Sequence, residues 1–189
     1  RGREIMSNIN ELIKVLREKT GAGFLDCKKS LEENNNDIEK SIEALRKKGL
    51  AKASKKSSRE AKEGAIGIYT SDKLLIILKV NSETDFAAKS DTFLNFLDEL
   101  GSLVIKSNNI NLTKEDFLNL SHDGNTISEF FKNMIAKIGE NLVLNDLLIF
   151  DNQNSNFSYY IHNSYKKNIG KIVSLVEYYT KNNDEKIKL

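Results

Sequence analysis

The sequence predicts an α+β protein in which a small domain of three helices precedes an antiparallel β-sheet packed with helices. Three observations support this fold class. Before residue 50, apolar residues recur at helical spacing, and two polar breaks divide them into three segments. From Gly64 onward, several apolar runs are short and β-rich. The predicted order of two strands, then helices, then three strands is typical of a mainly antiparallel α+β sheet.

Four parts follow from this change of pattern. We predict a three-helix domain at residues 6–50, a basic connector at residues 51–63 and an α+β core at residues 64–180. Residues 181–189 are expected to open a further helix, whose apolar face has barely begun where the sequence stops. A short complete protein and a piece of a longer one both fit this observation.

The first two helices are predicted from their apolar faces. The first helix carries four apolar residues at i, i+3, i+4 and i+7, which are Ile9, Leu12, Ile13 and Leu16. Thr20–Gly23 contains two glycines and ends this helix. The pattern then restarts with Phe24, Cys27 and Leu31.

The third helix is predicted from capping residues as well as from its apolar stripe of Ile38, Ile42 and Leu45. Asn36 is expected to be the N-cap, with Glu39 three residues later as its capping-box partner. Gly49 is expected to end the helix. The polar segment Ala51–Glu63 then follows. We interpret it as a helical or flexible connector with solvated charges, because no aromatic residues lie between its lysines.

The core is predicted to begin with a hairpin of two strands, Ala65–Thr70 and Leu74–Asn81, joined by the turn Ser71–Lys73. Three helices and three strands follow it. The helices are expected at Thr92–Lys106, Thr113–Leu120 and Ser128–Gly139, and the strands at Leu142–Phe150, Phe157–His162 and Ile169–Tyr178.

Composition argues against several classes of function. The chain has 189 residues with 29 basic and 27 acidic side chains, a net charge of +2, which is weak for a dedicated nucleic-acid binder. Apolar runs such as Leu74–Leu78 are too short to span a bilayer. A single cysteine, Cys27, cannot form an internal disulfide and suits a reducing compartment. We therefore expect a cytoplasmic protein without nucleic-acid or membrane partners.

The sequence contains no motif that predicts catalysis, a cofactor or a metal site. His122 and His162 lie far apart and belong to no cluster with metal-ligand spacing. The Gly-Ala-Gly of Thr20–Ser30 lacks the remaining glycine and lysine positions of the known phosphate-binding loops. Cys27 has lysines beside it, but it lies on an apolar helix stripe and is expected to be a core residue.

The segment Asn81–Lys89 has two interpretations. It follows a predicted strand and places Phe86 beside Asp85 in a polar surrounding, so it is suited to present an aromatic ring. Alternatively, Thr84 or Asp85 caps a helix that begins near Phe86, whose ring is buried in the core. The residue types alone favour the second interpretation.

Two segments closely resemble signatures of the translation elongation factor Ts family. Leu16–Leu31 resembles the N-terminal signature. Asn81–Lys89 resembles the second signature, a Thr-Asp-Phe-Val-Ala loop, with Ala87 where valine is usual. Two later parts of the chain resemble further family segments in the same order, namely Ala136–Asn141, and Tyr160–His162 followed by Ile169–Gly170.

The resemblance implies a fold and a function. The N-terminal helices would form a domain of the ubiquitin-associated type. The protein would be a guanine-nucleotide exchange factor, without catalytic residues or cofactors of its own, that binds elongation factor Tu with GDP and promotes GDP release. It also implies two groups of functional residues. The exchange loop would be Thr84, Asp85, Phe86 and Ala87, and the residues that bind the partner would be Lys14, Arg17, Phe24, Leu25 and His162.

The resemblance leaves other points open. A native short form is expected to dimerise, whereas a piece of a longer protein would lack part of its contacts to the partner. Two other classes of function are also considered. One is an adaptor that binds an unrelated helix through the small domain, and the other is an RNA-binding translation factor that uses Ala51–Lys62 as a basic arm. An enzyme is the weakest alternative.

Overall fold

The structure, a computed structural model, describes the backbone of residues 2–153 and 155–179 and the side chains of residues 9–153 and 155–179. The chain divides into two compact units. The first comprises the chain up to Ser58 together with Lys132–Gly139, and the second comprises Arg59–Phe131 together with the chain from Glu140 onward. The helix predicted at residues 181–189 lies outside the described residues.

The first unit is built on three helices, α1 (Gly2–Thr20), α2 (Phe24–Glu33) and α3 (Ile38–Lys56). Their core is a cluster of buried apolar side chains, Ile13, Leu16, Cys27, Leu31 and Leu45. Most of the predicted apolar positions face this core, because residues three and four apart share one face of a helix. Phe24 is an exception, with 47% of its surface exposed.

Two predicted helix ends in this unit are wrong. The N-cap of α3 is Asp37, whose carboxylate accepts a 3.0 Å hydrogen bond from the Lys40 N–H, whereas Asn36 has a positive φ of 60° in the turn before it. Helix α3 continues through Gly49 and ends at Lys56, so the first part of the basic segment is helical. Burial of Ala53 beyond Gly49 explains the longer helix, since tertiary packing outweighs the modest helix penalty of one glycine. The domain limits given above stay a proposal.

The second unit is an α+β fold, as predicted. Its helices are α4 (Asp85–Ala88), α5 (Asp91–Ser107), α6 (Lys114–Asn119) and the first part of α7 (Ile127–Ile138). Its strands are β1 (Glu63–Thr70), β2 (Leu74–Ser82), β3 (Ser121–His122), β4 (Asn125–Thr126), β5 (Leu142–Asp151), β6 (Asn156–Lys166) and β7 (Ile169–Tyr178). The sequence did not predict the short β3–β4 hairpin, which has two residues in each strand and no apolar alternation.

The main sheet is antiparallel with the strand order β5-β2-β1-β7-β6. Strands β1 and β2 pair along their lengths as a hairpin. Strands β1 and β7 pair only at Ile66 with Gly170 and Gly67 with Ile169. The β6–β7 hairpin is therefore attached to the rest of the sheet over a short stretch.

A polar cluster reinforces this short attachment. Asp98 on α5 accepts hydrogen bonds from Lys166 at 2.9 Å, from Asn168 at 3.1 Å and from the hydroxyl of Tyr69 at 3.3 Å. Burial, together with the nearby Asp98 carboxylate, raises the pKa of Tyr69, so its hydroxyl remains a donor. One carboxylate thus ties β1, α5 and the turn between β6 and β7 together.

Helix α5 fills the core of the second unit. Its buried face consists of Phe93, Leu94, Phe96, Leu97, Leu100, Gly101 and Val104. The ring of Phe96 packs edge-on against Phe130 and Phe131 of α7, with centroid distances of 4.9 Å in both cases. Such T-shaped aromatic contacts add to the free energy that burial supplies. Among the described residues, no helix has both the length and the apolar character needed to cross a membrane.

Replacing Phe96 by alanine is expected to lower the free energy of unfolding by about 3–5 kcal/mol, because a buried phenylalanine leaves a cavity when truncated. Phe96 is 1% exposed. Chemical denaturation followed by circular dichroism measures the change. The control is Ser102→Ala on the exposed side of the same helix, expected to change stability by less than about 0.5 kcal/mol. Equal effects of the two substitutions would contradict the packing described for α5.

Candidate functional site

The loop that the sequence singled out contains a one-turn helix directly after β2. Thr84 has extended backbone angles and is the N-cap of α4, and its Oγ1 accepts a 3.2 Å hydrogen bond from the Ala87 N–H. Threonine suits this position, because its hydroxyl satisfies an N–H that has no partner within the first helical turn. Helix α4 ends at Ala88, and Ser90 then caps α5.

Helix α4 presents Phe86 to solvent. Phe86 is 84% exposed, whereas Ala87 is 8% and Ala88 0% exposed. The two alanines therefore pack against the unit while the aromatic ring points away from it. The interpretation that buries Phe86 in the core is wrong. Among the described residues, Phe86 is the most exposed of the large apolar side chains.

Asp85 is held by a neighbouring lysine. Its carboxylate accepts a 2.7 Å hydrogen bond from Lys89, four residues along the chain. The Lys89 ammonium lowers the pKa of the Asp85 carboxyl below its ordinary value, chiefly through this hydrogen bond. Thr84, Asp85, Phe86 and Ala87 thus lie together in one turn with an ordered backbone.

Four of the five predicted partner-binding residues lie where α1 approaches the start of α2. Lys14 and Arg17 are exposed on one side of α1, three residues apart. They line a groove of about 470 Å³ together with Phe24 and with Ala22 of the intervening turn. Leu25, the next residue of α2, is 78% exposed.

This arrangement combines apolar and cationic character. Phe24 is the first residue of α2 and follows Gly23, so its ring stands at the helix end rather than in the core of the unit. Ile13 contributes an apolar side chain to the groove. Lys14 and Arg17 add two positive charges to its wall, and Glu18 adds one negative charge. The groove is suited to an amphipathic element with acidic residues beside an apolar strip.

His162, the fifth predicted residue, lies on a different element. It is exposed on β6, opposite Ile172 of β7, and its Nδ1 lies 3.5 Å from the hydroxyl of Tyr160. Ile172 and Tyr160 are themselves 52% and 64% exposed. The structure thus places His162 on an apolar, solvent-facing side of the β6–β7 hairpin.

His122 and Cys27, which were also considered for chemistry, have surroundings typical of residues that support the fold. His122 lies 2.8 Å from a carboxylate oxygen of Glu99 and against the ring of Phe130. Cys27 is buried, and burial raises the pKa of its thiol, which disfavours the reactive thiolate. Within the part of the chain that the structure describes, no three His, Cys, Asp or Glu side chains are grouped as metal ligands.

Glu140 contacts the turn that carries Phe86, although reasoning from the sequence did not assign it to the site. The carboxylate of Glu140 accepts hydrogen bonds from both the backbone N–H and the hydroxyl of Thr84, at 2.9 and 2.7 Å. The two residues are 56 positions apart in the chain. The segment Ala136–Asn141 resembled the family, which was the one available signal, but a resemblance alone does not indicate a contact with Thr84.

Comparisons with known proteins agree with the resemblance. The family model described as "Elongation factor TS" matches residues 83–189. The chain is 38% identical over 174 residues to an elongation factor Ts of Allorhizobium ampelinum, covering 92% of this chain and 56% of the relative. It is 42% identical over 169 residues to that of Mycoplasmoides gallisepticum, covering 89% of this chain and 57% of the relative.

A relative from Methylorubrum extorquens, also named elongation factor Ts, is 40% identical over 174 residues, which cover 90% of this chain and 56% of the relative. The chain thus spans a little over half the length of the curated relatives that it matches. The residues matched by the family model include the loop around Phe86.

The Asp85 carboxyl is expected to titrate below the ordinary aspartate pKa of about 3.9, because Lys89 stabilises its charged form. A lowered pKa means that this ion pair supports the loop above the unfolded-state pKa and is lost as the pH falls through the folded-state value. The carboxyl carbon shift, followed by NMR against pH, measures the midpoint. Lys89→Met should raise the midpoint and Lys62→Met, a change elsewhere on the surface, should not. An unchanged midpoint in Lys89→Met would show that the pair does not form.

Proposed function

The chain belongs to the elongation factor Ts family, and from that premise we propose that it acts as a guanine-nucleotide exchange factor. In this proposal it binds elongation factor Tu in its GDP form and promotes release of GDP during translation elongation. It acts without a catalytic step and without a cofactor of its own. Its expected location is the cytoplasm, where translation takes place.

The observation that carries the proposal is the exposure of Phe86 on a capped helical turn. An 84% exposed phenylalanine contributes little to the core of its own protein. Its backbone, however, is ordered by the cap of Thr84 and by two packed alanines. A rigid turn that presents a large apolar side chain is suited to insert that side chain into a partner, since little conformational entropy is lost on binding.

The chemistry of bound GDP indicates where such an insertion would act. GTPases hold the phosphates of GDP with backbone N–H groups and with a Mg²⁺ ion that keeps several of its waters. An exchange factor therefore needs only to stabilise a distorted phosphate site. We propose that Phe86 wedges between helices of the GTPase domain while Asp85 disturbs the contacts on the magnesium side. Thr84 and Ala87 shape the turn.

Thermodynamic linkage then accounts for turnover. If the factor weakens the binding of nucleotide to the GTPase, nucleotide must weaken the binding of the factor by the same ratio. Incoming GTP can therefore displace the factor once GDP has left. The proposal needs no energy source other than the binding of nucleotide itself.

We propose that the chain docks on the GTPase through the groove of the first unit. Phe24 and Leu25 would be the apolar anchors, since a few buried apolar side chains usually carry most of the binding free energy. Lys14 and Arg17 would form a charged rim around them. The occupant would be a helix of the GTPase domain, laid into the groove by its apolar side.

His162 is proposed as a further contact to the GTPase from the β6–β7 hairpin. A homodimer stays a prediction for a native short form, because an uncovered sheet edge or apolar face favours pairing with a second copy. Light scattering at tens of micromolar would measure the mass directly.

Phe86→Ala is expected to reduce the stimulated rate of GDP release about 30-fold, the rate equivalent of the roughly 2 kcal/mol that a central aromatic side chain contributes at an interface. Affinity for nucleotide-free elongation factor Tu should fall far less, because the ring acts on the partner's phosphate site. The measurement is release of labelled GDP from purified elongation factor Tu. Asp85→Ala should give a milder defect, and excess EDTA should shrink the wild-type advantage by removing Mg²⁺ in advance.

The matched control for this experiment is thermal stability. Phe86→Ala should melt close to the wild type, in contrast to Phe96→Ala. A Phe86→Ala protein that melts early but still stimulates GDP release normally would contradict the wedge. Wild-type chain that leaves the rate of GDP release unchanged would contradict the proposed function as a whole.

Replacing Phe24 and Leu25 together by alanine should weaken binding to elongation factor Tu by about 2–4 kcal/mol, as expected for two central apolar anchors. Calorimetry or surface plasmon resonance measures the dissociation constant, and circular dichroism checks the fold. The control pair is Lys28→Ala with Lys29→Ala, on the exposed side of the same helix, which should leave binding unchanged. An unchanged constant for the Phe24 and Leu25 variant would place the interface elsewhere.

A further inference from the structure

We propose that Glu140 is a positioning residue for the exchange loop, and that it acts together with Glu83 as a reciprocal carboxylate clamp. The inference rests on the proposed function, since the clamp is inferred to set the position of Phe86. Among the hydrogen bonds of the described residues, those of the Glu140 side chain go to Thr84. Its effect passes through Thr84, the residue that caps the helix carrying Phe86.

The clamp begins where the ladder between β2 and β5 ends. The last pair of that antiparallel ladder is Ser82 with Leu142. Continued in register, the next two pairs would be Glu83 with Asn141 and Thr84 with Glu140. At these two positions the backbones no longer form the ladder, and on each side one backbone N–H donates to a carboxylate of the opposite segment.

Each strand supplies one carboxylate to the N–H of the residue opposite. Glu83 Oε1 accepts a 2.6 Å hydrogen bond from the Asn141 N–H, and Glu140 Oε2 accepts a 2.9 Å hydrogen bond from the Thr84 N–H. Hydrogen bonds to an ionised acceptor are stronger than those between neutral groups. These two hydrogen bonds therefore join the segment after β2 to the segment before β5, just beyond the last pair of the ladder.

Glu140 also orients the cap. The Thr84 hydroxyl donates to Glu140 Oε1 at 2.7 Å and accepts from the Ala87 N–H at 3.2 Å. A hydroxyl has one proton, so donation to Glu140 leaves its lone pairs to face the helix. Polarisation along such a chain of hydrogen bonds strengthens each bond. Removal of the carboxylate frees the hydroxyl to rotate and weakens the cap.

Helix α4 depends on this support because it is short. It has four residues, far fewer than a helix needs to be stable on its own in water. Phe86, with 84% exposure, adds little packing to hold it. The turn is anchored by Ala87, Ala88 and the Thr84 cap, so a weaker cap should let the backbone around Phe86 sample other conformations.

Glu83 and Asn141 are themselves held in place by contacts with Arg59. Asn141 is 2% exposed, and its amide group donates a 2.7 Å hydrogen bond to the Arg59 carbonyl oxygen. Glu83 Oε2 lies 3.5 Å from the Arg59 guanidinium. Glu140 is thus held on an ordered segment.

The first test does not involve the partner. In full-length Glu140→Ala, the amides of Ala87 and Ala88 are expected to exchange with deuterium about 10-fold faster or more, since the cap that protects them is weakened. The amide of Leu78 in the centre of β2 should keep its rate. Glu115→Ala, which removes an exposed carboxylate from α6 in the same unit, is the matched control and should change neither rate. Unchanged exchange at Ala87 and Ala88 in Glu140→Ala would overturn the inference.

The second test separates positioning from general stability. Glu140→Ala should lower the maximal rate of stimulated GDP release by about 10-fold, with little change in the concentration of factor that gives half of that rate. Glu140→Gln keeps one acceptor oxygen and should be intermediate. Thr84→Val removes the hydroxyl and should match Glu140→Ala, and the double variant should be no worse than either. Glu115→Ala is again the control and should stimulate release as the wild type does.

The outcomes distinguish the two proposals. If the wild type stimulates GDP release and Glu140→Ala does so equally well, the positioning role is wrong and the proposed function stands. If the wild type does not stimulate release, the proposed function is wrong, and the exchange rates of Ala87 and Ala88 alone decide whether the clamp orders the loop. If Glu140→Ala does not fold, amide exchange and stimulated GDP release are both measured on Glu140→Gln and Thr84→Val.

Discussion

The loop around Phe86 depends on hydrogen bonds between carboxylates and backbone N–H groups just beyond the last β2–β5 pair. The ladder could not continue through Thr84, because the chain there must leave the sheet and begin α4. Glu83 and Glu140 resolve this conflict by satisfying the N–H groups of the two opposing segments with side chains. The loop can thus diverge from the sheet without losing its hydrogen bonds.

Phenylalanine has two opposite roles in this protein. Phe96 is packed between two rings of α7 and supports the core, whereas Phe86 and Phe24 are exposed on ordered elements. An exposed aromatic ring forgoes the free energy that burial would supply, which is of the order of 2 kcal/mol. Small residues lie next to each exposed ring. Ala87 and Ala88 are buried beside Phe86, and Gly23 precedes Phe24 at the start of α2. Surfaces of this kind are suited to association, which recovers the free energy of burial in a complex.

Much of the fold could be predicted because its signals are local. The helix faces of α1 and α5, the β1–β2 hairpin and the Thr113 cap of α6 follow from spacings and residue types within a few positions. Predictions failed where neighbouring residues offered equivalent choices. Asn36 and Asp37 are both good caps, but Asn36 has a positive φ of 60° in the preceding turn, and Asp37 has the extended backbone angles of an N-cap. Gly49 did not end α3, because packing beyond it continues.

The sequence by itself determined the fold class, the order of the elements and the two segments that carry the family resemblance, since each depends on periodicity or on contiguous residues. Tertiary structure alone decided that Phe86 is exposed, that Lys14, Arg17 and Phe24 line one groove, and that Glu140 meets Thr84. Exposure and contact depend on which distant segments pack together. No local pattern encodes the meeting of residues 56 positions apart, which follows from the register of β2 with β5.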